Sequence, residues 1–273
     1  MKRIVTLQDI SCVGKCALTV ALPIISACGI EACPIPTTLL SNHTAFDSFE
    51  SFDLTDNSVK IIEQFIKHDF TFDGIYTGYL GSVDQVNVAS NFIDRFRRSN
   101  SPVLVDPVMG DNGRLYSGIG ADLPEKIKEL CLKADIIVPN VTEASFLLGK
   151  DGSLEYSSLE DVKTVLMKLT DAYCPVCVLT GVELSGKSGA VAFNARTNEF
   201  YCCLKQKIDR VFHGTGDVFA SVLFSCIVNE KPLEKALETA VNFTFEAMMA
   251  SVNNPDSVWY GVDFETVLPI LRD

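Results

Sequence analysis

Short Val- and Ile-rich runs alternate repeatedly along this chain with longer segments of helical periodicity. Strands are predicted over 3–8 (RIVTLQ), 31–36, 73–80 (DGIYTGYL), 102–107 (PVLVDP), 134–139 (ADIIVP) and 175–180 (PVCVLT). Helices are predicted over 16–28, 56–69, 82–98, 121–132, 142–148 and 158–172. Strands separated by helices are joined by crossovers, so this order predicts an α/β fold: a three-layer α/β/α arrangement with a mostly parallel central sheet. Two further runs, 189–194 and 199–206, have no helix between them and predict an antiparallel hairpin at the sheet edge. The segments 216–229, 232–251 and 263–271 read as helices. No Pro/Gly/Ser linker, repeat or low-complexity tract interrupts the pattern, and 47% hydrophobic content over 273 residues is ample for one core. Residues 1–273 are therefore expected to form a single domain.

Charge narrows the partners. Lys and Arg total 23 against 35 Asp and Glu, a formal net charge of -12, with no basic run. Nucleic acid and anionic membrane surfaces are thus excluded as expected partners, while a small polyanion remains compatible with a local cluster of backbone N–H groups or a cation. The opening MKRIVTLQDIS reads as a strand and not as a leader, and no apolar run reads as a membrane span, so a cytosolic location is expected. Ten cysteines are scattered through core-like segments such as those of Cys28, Cys131 and Cys226, which predicts reduced thiols and no disulfide framework.

Two stretches compete as the chemical centre. The first, GVELSGKS at 181–188, matches the phosphate-loop pattern GxxxxGK[ST] letter for letter. That motif works only when a helix follows, and the next residues alternate and turn as a hairpin would, leaving Lys187 without a phosphate to hold. The second is His213-Gly214-Thr215-Gly216-Asp217, which opens an apolar helix free of charge until Glu230. The glycines allow close backbone approach to a ligand, and the first unpaired N–H groups of the helix point at that loop as an anion hole. Asp217 alone could be a helix cap, but a cap does not require glycines on both sides of Thr215. A carboxylate beside an anion hole suits phosphoryl transfer to an alcohol, with Asp217 as base.

Asp106 and Glu143 both fall just beyond strands, on the edge where open parallel sheets bind ligands, and suit the magnesium that accompanies a nucleotide. The glycine-rich stretch MGDNGRLYSGIG at 109–120 reads equally as a lid or as a mobile loop. Cys174 and Cys177 form a CxxC that runs into a strand and reads as packing. His43, His68 and His213 have no metal-ligand spacing.

GTGD, together with DPVMG (106–110), PNVTE (139–143), SNHT (41–44) and GYLGS (78–82), resembles the pyridoxal kinase group of the ribokinase-like superfamily, over nearly the whole chain and in order. The resemblance implies ATP as co-substrate, magnesium and often potassium, a homodimer, and a vitamin B6 vitamer as acceptor. It implies Asp217 as catalytic base, with Gly214, Thr215 and Gly216 as the anion hole, Asp106 and Glu143 on the magnesium side, Thr180 and Gly181 in the nucleotide pocket, and Thr44 and Tyr79 in the pyridine pocket.

The chain departs from the family where Ser usually follows Gln: here Gln8 is followed by Asp9, Ile10 and Ser11. The ring contact then falls to Asp9 or Ser11, and an acid there favours an amine or a protonated ring. Ala45 also replaces an often polar residue. Some relatives carry Cys in place of the Asp of GTGD and phosphorylate hydroxymethylpyrimidine as well, so Asp217 points to the B6 branch. The competing expectations are a hydroxymethylpyrimidine or sugar kinase, a phosphate-loop ATPase dependent on Lys187, and a degenerate kinase fold that only binds ligand.

Overall fold

The computed structural model describes residues 1–272. Its strands are β1 (Arg3–Ser11), β2 (Glu31–Leu40), β3 (Ser51–Asp53), β4 (Gly74–Thr77), β5 (Val103–Val105), β6 (Gly110–Asp111), β7 (Arg114–Leu115), β8 (Ile136–Ile137), β9 (Val176–Leu184), β10 (Lys187–Asn194) and β11 (Glu199–Gln206). Its α-helices are α1 (Leu18–Ala27), α2 (Thr55–Lys67), α3 (Val83–Phe96), α4 (Leu123–Cys131), α5 (Val141–Leu147), α6 (Leu159–Ala172), α7 (Thr215–Val228) and α8 (Leu233–Asn253), followed by a 3-10 helix at Phe264–Arg272.

Nine strands share one sheet in the order β11-β10-β9-β8-β5-β4-β1-β2-β3, and β6 pairs only with β7. The five pairings from β2 through β1, β4, β5 and β8 to β9 are parallel. The pairings of β9 with β10, β10 with β11 and β2 with β3 are antiparallel. The predicted three-layer arrangement and the edge hairpin are present. Three details differ from the sequence reading. The strand predicted to end at 180 runs on to Leu184, because its hairpin partner β10 extends the pairing. The short strands β3, β6 and β7 carry too few apolar positions to show a period of two. The segment read as a C-terminal helix over 263–271 is a 3-10 helix, with Pro269 inside it.

The alternation of side chains along each strand feeds two cores. Val5 and Leu7 of β1 join Val103 and Val105 of β5 beneath Phe92 of α3, Leu130 of α4 and Leu166 of α6. Ile4 of β1, Tyr76 of β4 and Leu104 of β5 face the opposite layer, with Ile24 of α1, Phe224 of α7 and Phe243 of α8. Helix α7 is apolar on all sides and ten of its residues are buried, so it is held between the sheet and its neighbouring helices. Its N-terminus is thereby fixed at the sheet edge where the parallel strands end. Among the described residues, no helix is long and apolar enough to cross a membrane.

Candidate active site

The loop before α7 is shaped by two glycines with different tasks. Gly214 is the N-cap, in the left-handed region at φ 77°, and a Cβ there would collide with the Lys15 carbonyl. A Cβ on Gly216 would meet no protein atom within 4 Å, which leaves open space in front of the first turn. No side chain caps α7. Asp217, the third residue of that turn, is therefore not the helix cap, and the N–H groups at the start of α7 are left for a ligand.

Four acids converge here from distant parts of the sequence. Asp217 is half-buried in the first turn of α7, where desolvation raises its pKa to about 6, with the backbone N–H of Ala17 working against the rise. Asp9, near the end of β1 and only 4% exposed, is raised to about 7, first by burial and then by the Asp217 charge. The Ser11 hydroxyl donates to it at 3.4 Å. Asp106, just past β5, is held well above the ordinary carboxylate range by burial, then by Glu143 and Asp217. Glu143 is raised to about 8 by burial, although backbone N–H groups oppose this. Among the described residues, no Lys, Arg or His forms an ion pair with any of the four. The nearby ammonium of Lys15 is committed to Asp263 and Glu265, each at 2.9 Å.

Glu143 has a structural task as well. It is the third residue of α5 and closes a capping box: its own N–H donates to Asn140 Oδ1 at 2.9 Å, and its Oε2 accepts the Asn140 N–H at 2.9 Å. Its Oε1 accepts the Met109 N–H at 3.1 Å, which ties the glycine-rich segment to the same corner. That segment is pinned further by Asn140 Nδ2 donating to the Gly110 carbonyl at 2.8 Å and Gly113 N–H donating to Thr142 Oγ1 at 2.9 Å. The base of the stretch at 109–120 is thus a short hairpin anchored on α5. Tyr116 follows it, and its phenol is pushed upward by burial and then by the charges of Glu143, Asp111, Asp217 and Asp106. Sequence reasoning missed Tyr116, although it is the single aromatic residue of that segment.

At the opposite end, the Tyr79 phenol is pushed up by burial and then by the charge of Asp9. The Cys16 thiol is likewise raised by burial, then by Asp217 and Asp9. Neither Cys16 nor Ala17 was singled out from the sequence. Thr44 is half-buried in the loop after β2 but makes no hydrogen bond to Asp9, Ser11, Tyr79 or Asp217. Its neighbour His43 fixes that loop, with Nε2 at 3.1 Å from the Tyr260 carbonyl and Nδ1 accepting the Ala45 N–H at 3.0 Å. His43, Phe46, His213, Trp259 and Tyr260 form an aromatic cluster with centroid spacings of 4.6 Å for Phe46–Trp259 and 5.2 Å for His43–His213.

Thr180 is held beside α5 by its N–H bond to the Pro139 carbonyl at 2.9 Å. Gly181 adopts φ 69° at a bulge between β9 and β10, with open space where a side chain would stand. The rival phosphate-loop match is a β-hairpin: Ser185 and Gly186 both have positive φ, 51° and 73°, between paired Leu184 and Lys187. Lys187 is exposed on that hairpin and no helix follows it. Cys174 and Cys177 are buried in the core, and all ten cysteines are free. Of the cysteines expected in the core, Cys28 is only half-buried.

The model of the phosphomethylpyrimidine kinase family matches residues 21–258. The chain belongs to that family. It is 30% identical to a pyridoxal kinase of Arabidopsis thaliana, over 81% of this chain and 72% of the relative. It is also 30% identical to a hydroxymethylpyrimidine/phosphomethylpyrimidine kinase of Aquifex aeolicus, over 82% of this chain and 85% of the relative. A solved structure from Bacteroides thetaiotaomicron, provisionally assigned as a phosphomethylpyrimidine kinase and crystallised with pyridoxal, superposes with a TM-score of 0.94 at 36% identity, covering 100% of this chain and 96% of that one. Membership of this kinase family accounts for the ribokinase-like architecture.

Proposed function

We propose that this chain is an ATP-dependent kinase that phosphorylates the 5'-hydroxymethyl group of a vitamin B6 vitamer and so feeds pyridoxal phosphate salvage. One observation carries the reading: a half-buried carboxylate, Asp217, stands in the first turn of a helix whose N-terminus has no side-chain cap and faces open space at Gly216. Asp217 removes the hydroxyl proton of the acceptor. The backbone from Gly214 through Thr215 to Gly216 receives the charge on the transferred phosphoryl group. ATP enters from the side of Thr180 and Gly181, where the Gly181 bulge leaves room.

Among the described residues, no group of three or more ligands would hold a metal unaided. Magnesium, bound with the nucleotide, supplies charge neutralisation on the phosphates. Asp106 fits it: the carboxylate is 8% exposed and no described group donates a side-chain hydrogen bond to it. Glu143 adds a second negative charge from its capped position. The acceptor ring lies against Tyr79, with Asp9, Ser11 and Thr44 around its polar substituents. The reading includes a single-domain chain acting as a cytosolic homodimer, with potassium as the activating monovalent cation.

The relatives named for pyridoxal support the vitamer assignment, and the Aquifex relative supports the second reading, a hydroxymethylpyrimidine kinase. A coupled ADP-release assay with magnesium and potassium, run on the three vitamers, hydroxymethylpyrimidine and ribose, separates them. Turnover of at least one vitamer is expected. Turnover of hydroxymethylpyrimidine or ribose alone would overturn the assignment.

A further inference from the structure

Asp9 is buried among groups that offer it no positive charge. The Asp217 carboxylate, the Tyr79 phenol and the Cys16 thiol all lie within its electrostatic reach, and its one side-chain donor is the Ser11 hydroxyl. Lys15 is the basic residue closest in the sequence beyond β1, and its ammonium is turned to Asp263 and Glu265. A carboxylate taken out of water with no cation beside it is strongly disfavoured. The pocket is therefore completed by a proton or by a positive group that arrives with the ligand.

Asp9 is 4% exposed near the carboxyl end of β1, at the sheet edge to which the first turn of α7 brings Asp217. The B6 vitamers differ from one another in a single substituent, on the ring carbon next to the acceptor hydroxymethyl group, so a positive group that distinguishes them is carried there. We propose that Asp9 is a specificity-determining residue that receives an amino group carried at that position, making pyridoxamine the favoured acceptor among the B6 vitamers. This deepens, and rests on, the vitamer kinase reading above. Pyridoxamine presents an ammonium there, a charge-assisted donor to the carboxylate. Pyridoxine presents a neutral hydroxyl. Pyridoxal presents a carbonyl oxygen, which as an acceptor gains nothing from an ionised acid.

The test is kcat/KM for pyridoxamine, pyridoxine, pyridoxal and hydroxymethylpyrimidine in the wild type, Asp9→Asn and Asp9→Ser. The Asn variant keeps the size of the side chain, so it decides the question if the Ser variant folds poorly. In both variants the pyridoxamine-to-pyridoxal ratio is expected to fall about tenfold or more, carried mainly by KM, since the contact is made by the bound ground state as well as the transition state. The thermal shift induced by pyridoxamine should shrink in parallel, a readout independent of turnover. Vitamer turnover with a ratio within about twofold of wild type in Asp9→Asn would overturn the role of Asp9 and leave the vitamer reading standing. A wild type that phosphorylates hydroxymethylpyrimidine and no vitamer would overturn both.

Discussion

The backbone N–H of Ala17 faces the Asp217 carboxylate, and Ala17 offers it from φ 47° and ψ -129°, a region that a residue with a Cβ seldom occupies. The conformation lets the chain arrive from β1, pass Cys16 and enter α1 while one amide is turned toward Asp217. Ala17→Gly relieves about 1–3 kcal/mol of backbone strain against about 0.4–1 kcal/mol of added chain entropy. Its Tm is expected to match or exceed that of the wild type, whereas Ala17→Val, β-branched and at a 3% exposed position, should lower it. Thermal unfolding of both variants checks this.

Removing the charge of Asp217 isolates its chemical role. Asp217→Asn is nearly isosteric and should fold and bind nucleotide and vitamer, while kcat falls by roughly 10² to 10⁴, the usual contribution of a positioned general base. Steady-state kinetics beside calorimetric binding measure the two effects separately. A near wild-type kcat would deprive the mechanism of its base.

Gly214 and Gly216 should respond in opposite ways to a single methyl. Gly214→Ala forces a side chain into the left-handed region and against the Lys15 carbonyl, so it should lose about 1–3 kcal/mol from backbone strain alone. Gly216→Ala meets no protein atom and should gain about 0.5–1 kcal/mol from helix propensity. Its methyl would instead fill the space assigned to the transferred phosphoryl group, and kcat/KM for ATP should fall at least about tenfold. Chemical denaturation paired with kinetics tests both halves.

Activity and stability should run in opposite directions with pH. The pKa of Asp217 is raised to about 6 and that of Asp9 to about 7, both above the roughly 3.9 of an unfolded Asp. In each case the folded chain holds a proton that the unfolded chain has released. Their contribution to stability is therefore complete below about pH 4 and is lost as pH rises through about 6 and then about 7. The base acts only when ionised, so kcat/KM should climb as pH rises through about 6. Tm of the ligand-free protein and the pH profile of kcat/KM, both followed from pH 5 to pH 8.5, are the measurements.

Lys187 should matter little. It is exposed on the β9–β10 hairpin and has no helix behind it, so Lys187→Ala is expected to change kcat/KM by less than about threefold. A collapse of ATP turnover would restore the phosphate-loop reading.

Much of the architecture was legible in the sequence because it is written in local periods. Val5 and Leu7 alternate with Ile4 whatever lies above them, and a helix as apolar as Val218–Val228 has to be buried on every side. The rejection of the phosphate loop was local too, since the hairpin after Ser188 follows from side-chain alternation and a turn. Gly214 and Gly216 could be marked as a ligand loop from composition, but only the fold separated them: a side chain at Gly214 would strike the Lys15 carbonyl, and one at Gly216 would enter open space.

Which side chains meet was settled by the packing of the layers. Asp9 and Asp217 lie near opposite ends of the chain, and each reads locally as a strand residue and a possible helix cap. They become a pair because β1 and α7 bring their ends to one edge of the sheet. The same holds for Tyr116, brought within reach of the acids' charge by a hairpin too short to have a period, and for Ala17, whose N–H serves Asp217 from a positive φ. A sequence states each residue's chemistry and its local geometry. The electrostatic environment of a carboxylate is set by neighbours supplied through crossovers, and those neighbours are fixed only when the layers pack.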